Sequence, residues 1–312
     1  MRSLLLRTYA ATVGVLLFIA ACHRSPAGPT AQTTAGSNPR ASALFKVATW
    51  NIRSGMGISG FATTNWSSNT LNCTNPSQPM NAWGMHLPQA ELEKIRVDPQ
   101  IVAMAIQEAW YCGSPSNVNG VLGFKTASAE RDGTALLARY GFAAPAQYHE
   151  LNRGAWLVSA DVCLDAACST TVPMVSAHWS GDASVLAQQT LQYMSSRPAP
   201  HLLMGDLNVF QVDAWNPPVP CTGRDNPSSV AAIGMIEAAG YTDAWKATQS
   251  GEGWTGMATR NGCGVPNGNL FKRIDYVYAK GFRVVSTTRF ARAAPGGDSP
   301  SDHVGLIAEL SR

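Results

Sequence analysis

The sequence predicts one α/β domain built on a mixed β-sheet core, and three observations point there. Strand-like runs recur from Leu44 to Leu310, and several are apolar throughout, as strands covered on both faces are. Helical patterns fall between these runs along the whole chain instead of gathering in a block of their own. A chain of 312 residues, 45% hydrophobic and 14% charged, is long enough to bury one large core. No internal repeat is present.

The first element precedes that domain. In MRSLLLRTYAATVGVLLFIAAC, Arg2 and Arg7 come before an apolar stretch from Tyr9 to Ala21, which is the order of a secretory signal. The stretch is too short to span a bilayer, which takes about 20 residues. Its end, IAAC, resembles the bacterial lipoprotein box, in which the cysteine becomes the acylated first residue of the mature chain. Residues 1–21 are then the signal peptide and Cys22 the membrane anchor. The alternative is an ordinary secretory signal cut after Ala21, which leaves Cys22 a thiol and the protein free of the membrane. Two or more acyl chains, at about 0.8 kcal/mol per buried methylene, anchor stably where one is marginal. Residues 22–43, the cysteine followed by Pro, Ala, Ser, Thr and Gly with almost no large apolar side chain, read as a flexible tether. The folded domain is expected over 44–312.

Losing the signal removes Arg2 and Arg7 from 23 basic residues and nothing from 20 acidic ones, so the mature chain carries +1 (21 against 20). Nucleic-acid binders usually show a strong basic footprint, and composition gives no independent support for one here. Cys73, Cys112, Cys163, Cys168, Cys221 and Cys263 form an even set, which in an exported chain suggests disulfides. Cys163 and Cys168 flank LDAA between two strand-like runs, so a bridge closing that hairpin is the pairing the sequence favours; the others stay open. No Cys-x-x-Cys spacing occurs, which weakens a zinc site.

Along the domain, strands are predicted at 44–52, 101–108, 134–140, 155–164, 171–179, 201–209, 273–279, 282–290 and 303–310. A helix is predicted from Gln89 to Val97, stopped by Asp98-Pro99 because the residue before a proline avoids helix. A second runs from Asp182 to Ser196 with Ala183, Leu186, Ala187 and Leu191 on one stripe, and a third from Ser228 to Ala239, ending at Gly240. Residues 54–86 and 211–228 are rich in Gly, Ser, Asn and Pro, hold Trp66, Trp83 and Trp215, and read as long loops, either functional or packed on their own tryptophans.

Polar side chains that a core would reject stand at the ends of these apolar runs. Asn51 ends VATWN, Glu108 ends IVAMAIQE, His178 ends MVSAH, and Asp206 and Asn208 close LLMGDLN. Asp275 and the pair Asp302-His303 flank the last strands. Buried carboxylates and amides are costly unless paired or bound to a metal. Glu, Asp and Asn supply oxygen ligands, which suit hard cations: Mg²⁺ first, with Mn²⁺ or Ca²⁺ as alternatives. Two histidines are then left for proton transfer.

TWNIR, IQEAW, ALLARY, VSAHWS, MGDLNV, RIDYVY and SDHVGL, in this order between Phe45 and Leu310, resemble the ordered motifs of the endonuclease/exonuclease/phosphatase superfamily. That superfamily includes pancreatic-type deoxyribonucleases, abasic-site endonucleases, sphingomyelinases and inositol-polyphosphate phosphatases. The resemblance implies a four-layer α/β/β/α sandwich of two mixed β-sheets with outer helices and a site at one rim. It implies Glu108 as the principal metal ligand with Asn51 beside it and Asp302 available to the same or a second ion. Asp206 and Asn208 position the attacking water and the scissile phosphate, His303 pairs with Asp275, and His178 contacts the phosphate from the other side. Whether Asp206 or His303 takes the water's proton stays open. VSAHWS has AHW where the family more often has THL, so His178 departs from the pattern. Arg139 and Tyr140 resemble the family's SRYP with Gly141 in place of Pro, which suggests support. His86, His149 and His201 match no motif, and Trp50 and Trp110 are expected in the core.

Three functions follow as expectations. The first is an exported, membrane-anchored, monomeric phosphodiesterase acting on nucleic acid, for which Lys272, Arg273, Arg283, Arg289 and Arg292 would gather into a local basic rim. The second keeps the chemistry on a phospholipid, as in sphingomyelinases, or another phosphometabolite, with Trp66 and Trp83 exposed on the loops. The third is an inactive binding lipoprotein, against which every expected site position is filled.

Overall fold

The computed structural model describes residues 44–55, 88–209, 227–251, 253–257, 270–292 and 299–312. The signal, Cys22, the tether, most of both long loops with Trp66, Trp83 and Trp215, His86, Cys73, Cys221 and Cys263 lie outside the described residues.

In chain order the elements are β1 (Leu44–Asn51), α1 (Gln89–Val97), β2 (Ile101–Gln107), α2 (Pro115–Leu122), β3 (Thr126–Ala127), β4 (Ala135–Ala138), β5 (Gln147–Glu150), β6 (Trp156–Cys163) and β7 (Thr171–His178). They continue as α3 (Ala183–Ser195), β8 (His201–Asp206), α4 (Pro227–Ala238), β9 (Thr242–Asp243), α5 (Ala244–Thr248), β10 (Gly256–Met257), β11 (Leu270–Lys272), β12 (Asp275–Lys280), β13 (Arg283–Phe290) and β14 (Gly305–Ser311). One six-stranded sheet runs β13-β14-β1-β2-β4-β3 and the other β5-β6-β7-β8-β12-β9. Each is mixed: β1 pairs parallel with β2 and antiparallel with β14, and β7 pairs parallel with β8 and antiparallel with β6.

Why these strands are apolar on both faces follows from the layers. Successive side chains alternate between faces. In β1, Phe45 and Val47 enter the layer between the sheets, where they meet Met174, Met204 and Val277. Ala48 and Trp50 point the other way, onto Leu92 and Ile95 of α1 and Val118 and Leu122 of α2. The second sheet does the same, with Val175, Leu203, Tyr276 and Tyr278 covered by Leu186, Ala187 and Met194 of α3 and Ala232, Ile233 and Ile236 of α4. The result is the four-layer α/β/β/α sandwich.

Local chemistry holds the layers in place. Asp182 caps α3 by accepting from the Ser184 and Val185 amides, and its Oδ1 also accepts the Ser228 hydroxyl at 2.5 Å, which joins α3 to α4. Led by the Ser228 bond, these donors hold its carboxyl down at about 2. Arg139 donates to the carbonyls of Ile95, Arg96, Asp98 and Ile101, satisfying the open end of α1 in the supporting role expected of it. Cys163, the last residue of β6, forms a disulfide with Cys168 in the turn that follows. His201 is buried against the Tyr241 hydroxyl at 2.7 Å, and His149 stacks on Tyr193.

The nine expected strands and three expected helices are all present; α2, α5 and the short strands β3, β5, β9, β10 and β11 are additions. Trp50 is fully buried, but Trp110 is only half-buried, a correction with a backbone cause. Glu108 takes a positive φ of 49°, which turns the chain away from the core two residues before Trp110 can follow β2 inward.

Two glycines give opposite predictions. Gly205, at φ 144°, lets β8 approach β7 so closely that a Cβ there would lie 1.9 Å from the Ala177 carbonyl oxygen. Gly205→Ala should lower stability by about 3 kcal/mol. Gly120, exposed in α2 with nothing within 4 Å of its would-be Cβ, should gain about 0.5–1 kcal/mol as alanine. Urea midpoints of the two variants check both signs.

Candidate active site

The same alternation that builds the core places the polar residues. Asn51 has the parity of Phe45 and Val47, Asp206 that of Leu202 and Met204, Asp275 that of Val277 and Ala279, and His178 that of Val172 and Met174. All four therefore face into the layer between the sheets, at the end where β1, β7 and β8 finish and β12 begins. Register aligns them: Asp206 is the strand neighbour of Asp275 on one side and of His178 on the other. Below them the layer becomes polar by degrees, with Gln107 donating to Ser176 across the sheets at 3.1 Å.

Asp206 is central. Its Oδ2 accepts from Asn51 Nδ2 at 3.0 Å and lies 3.7 Å from Nε2 of both His178 and His303. Its Oδ1 accepts the Asn208 amide at 2.9 Å, while the Asn208 side chain donates to the Trp179 carbonyl. Asn51 Nδ2 also reaches Glu108 Oε1 at 3.0 Å. His303 Nδ1 donates to Asp275 Oδ2 at 2.8 Å, which leaves Nε2 directed at Asp206. Asp302 stands 4.0 Å from that nitrogen and 3.5 Å from Arg53 Nε. Side chains from Asn51 to His303 thus meet in one neighbourhood.

Two residues given no role in the sequence reading fix this geometry. Ser301, fully buried, donates to the Asn51 carbonyl at 2.7 Å and accepts the His303 amide at 3.1 Å. Thr255, also fully buried, accepts the Ile274 and Asp275 amides on its hydroxyl, both at 3.1 Å. Its own carbonyl receives Val304, and Met257 donates to the Asp302 carbonyl. The segment around β10 therefore stitches Asp275 to the Asp302-His303 turn. Ser301 was legible as part of SDH; nothing in GWTGM announced Thr255.

The electrostatics call for positive charge. Burial alone would drive the His303 imidazole down, but Asp275, Asp206 and Asp302 outweigh it and hold the ring up at about 10. Burial pushes the Asp302 carboxyl up, with Glu108 adding to it against His303 and Arg53. Asp275 Oδ1 and Asp302 Oδ1 are buried with no hydrogen-bond partner. Ligand atoms of Asp206, Asp275 and His303 lie within 4.8 Å of one another. Orphaned carboxylate oxygens in such a cluster are what a divalent cation satisfies, so the residues fit one. Asp275 and Asp302 offer the unpartnered oxygens, and Glu108 stands beside them with its Oε1 on the Asn51 amide. Asn51 meets Glu108 and Asp206 through its amide nitrogen, while its side-chain oxygen accepts the Arg53 backbone amide.

The sequence pattern of the Endonuclease/Exonuclease/phosphatase family matches residues 48–303. The chain belongs to this family. Membership makes it a metal-dependent hydrolase of phosphoester bonds. No curated protein matches it in sequence. Solved structures that resemble it include an endonuclease/exonuclease/phosphatase from Beutenbergia cavernae, at TM-score 0.58 and 17% identity over 86% of this chain and 71% of that one. A humanized zebrafish (D. rerio) TDP2 aligns at TM-score 0.55 and 13% identity over 86% of this chain and 99% of that one. A mannosyl-6-phosphatase of Bacteroides thetaiotaomicron aligns at TM-score 0.55 and 15% identity over 85% and 99%. At these identities the likeness is one of fold.

The basic rim does not form. Arg273 is buried against Asp243 at 2.6 Å, and Arg289 donates to the Trp254 carbonyl and stacks on Trp245. Arg283 pairs in register with Ser311, at the opposite end of its sheet from the site. Of the other two, Lys272 pairs in register with Gly256 and Arg292 is exposed after β13.

Thr255→Val should strand two buried amides and cost about 1–3 kcal/mol with reduced turnover, and Thr255→Ser should restore both, as urea melts and rates will show. The raised imidazole sets a pH window. His303 favours the folded state fully below its unfolded value near 6.5, and the contribution fades as pH rises toward about 10. In EDTA, wild-type stability should fall across that interval more steeply than that of His303→Asn.

Proposed function

We propose that the chain is an exported phosphodiesterase, anchored through acylated Cys22, that cleaves nucleic acid as a monomer with Mg²⁺ as its cation. The observation that carries the phosphodiester chemistry is the Asp275–His303 pair facing Asp206 across 3.7 Å, with Glu108 and Asp302 alongside. That gap is too long for a direct hydrogen bond, so both groups stay available to a phosphate oxygen or a water that approaches from the mouth.

Within this proposal each side chain has one task. Glu108 and Asp302 hold the cation, which when bound neutralises phosphoryl oxygens and favours attack on phosphorus. Asp206, already fixed by Asn51 and the Asn208 amide, accepts the proton of the attacking water. His303, with Nδ1 committed to Asp275, donates from Nε2 to a non-bridging phosphate oxygen. His178 approaches the phosphate from the β7 side. Asn208, exposed with its amide group tied to Trp179, presents its remaining oxygen to the water or phosphate.

That Arg273, Arg283 and Arg289 do not gather at the site among the described residues shapes the nucleic-acid reading. Binding would rest on contacts at the site, not on attraction over the surface. Between 50 and 200 mM salt, affinity for a DNA strand should therefore fall far less than the roughly 10³-fold or more lost by a protein that makes six or more phosphate contacts.

Incubating the protein with plasmid DNA, with sphingomyelin and with a bis-aryl phosphodiester, each with Mg²⁺ or EDTA, tests the proposal. DNA cleavage with Mg²⁺ alone is expected; turnover of the lipid only would replace the substrate, and turnover in EDTA would remove the cation. Glu108→Ala should abolish Mg²⁺-supported turnover, and His303→Asn should lower kcat by about 10²–10⁴-fold. Asn is the better probe at this position, since His303 is buried and alanine would leave the Asp275 carboxylate without its partner.

A further inference from the structure

Beside the reaction centre the chain after Glu108 builds an aromatic wall that the phosphate chemistry does not use. The positive φ of Glu108 turns the backbone outward, and the Ala109 amide locks the turn by donating to the Gly133 carbonyl at 2.8 Å. The Trp110 indole then lies on Gly133. At φ 73°, a Cβ on that glycine would fall 2.8 Å from the indole carbons and 3.0 Å from Glu108 Cα, so the glycine is what lets the ring seat beside the proposed cation ligand. Tyr111 follows with 44% of its surface exposed. Together with Ala109, Ser114 and Glu130 the two rings line an open cleft of about 450 Å³. That is within the range of small-ligand sites, roughly 300–1,000 Å³.

We infer that this cleft is a subsite for a planar aromatic ring of the substrate and, resting on the phosphodiesterase proposal above, that the ring is the nucleobase next to the scissile phosphate. Only Ala109 separates Glu108 from Trp110, so a phosphate held at the reaction centre has its flanking nucleoside within reach of the indole. The Glu130 carboxylate, held by the Gly133 amide at 2.8 Å, forms an anionic wall that repels a second phosphate but can accept an amino or imino hydrogen from a base edge. A lipid chain would require an enclosed apolar groove, and this cleft is open and carries a carboxylate. Every base has a π-face, so stacking here would tolerate any sequence.

The test is binding of a fluorescein-labelled hexathymidylate and of an abasic strand of equal length, both in EDTA so that nothing is cleaved. Wild-type protein should bind the base-bearing strand about tenfold to hundredfold more tightly than the abasic one. Trp110→Leu should lose that preference and leave the abasic affinity unchanged, and Trp110→Phe should retain most of it. Tyr111→Leu alters an exposed ring and guards against a Trp110 variant that fails to fold; it should show part of the same loss. Equal affinity of wild type for both strands, or equal losses on both in the variants, would overturn the subsite, as would no binding of either strand. A base preference in a protein that cleaves no nucleic acid would uphold the subsite while the hydrolysis proposal fails.

Discussion

Asp206 is where the two sheets meet chemically, and the arrangement of the site depends on it. Its carboxylate takes a hydrogen bond from Asn51 on the opposite sheet at 3.0 Å and faces the rings of His178 and His303 at 3.7 Å each. It is buried beside the equally buried Asp275. Carboxylates in such a place are costly unless donors and positive charge surround them. The surrounding structure supplies both: the Asn208 amide, the Asn51 side chain and an imidazole that three carboxylates keep protonated to high pH. What it leaves unsatisfied, Asp275 Oδ1 and Asp302 Oδ1, marks where further positive charge belongs.

This arrangement is a property of the sandwich before it is a property of any reaction. Strands that alternate between an outer helix layer and a shared inner layer must end somewhere, and the side chain after the last apolar inward position is the first to meet water from that layer. In β1, β7 and β8 that position is Asn51, His178 and Asp206; at the start of β12 it is Asp275. The turn before β14 brings His303 to the same mouth, held by Ser301 to β1 and through Thr255 to β12. Precision of this kind, set by rigid strands and buried hydroxyls, is what positioned proton transfer and phosphate binding require.

Much of this was legible because it rested on strong local signals. Long apolar runs marked every central strand, and polar residues at their ends marked the mouth. Short edge strands carry too few residues to show a period, so β3, β5 and β9 to β11 were silent. The helix α2 was missed although Ser114 caps it, Pro115 opens it and Gly123 follows it, because its buried face amounts to Pro115, Val118 and Leu122. Thr255 was invisible for a different reason: its value lies in two amides far along the chain that only the fold brings to it. Charge was the least legible feature. Arg273 and Arg289 look available in sequence, yet one is committed to Asp243 and the other to Trp245 and the Trp254 carbonyl. The direction of Trp110 was hidden by a single backbone angle at Glu108.

Glu108 and Asp302 are proposed to hold a divalent cation at this mouth, and the rest of the site's chemistry depends on that binding. Thermal unfolding of the purified protein in EDTA and in millimolar Mg²⁺ measures it without reference to any substrate, since a ligand that binds only the folded state raises its stability by mass action. The account predicts a higher Tm with Mg²⁺ in the wild type and no such rise in Glu108→Gln. Identical Tm values with and without the ion, or an undiminished rise in the variant, would contradict it.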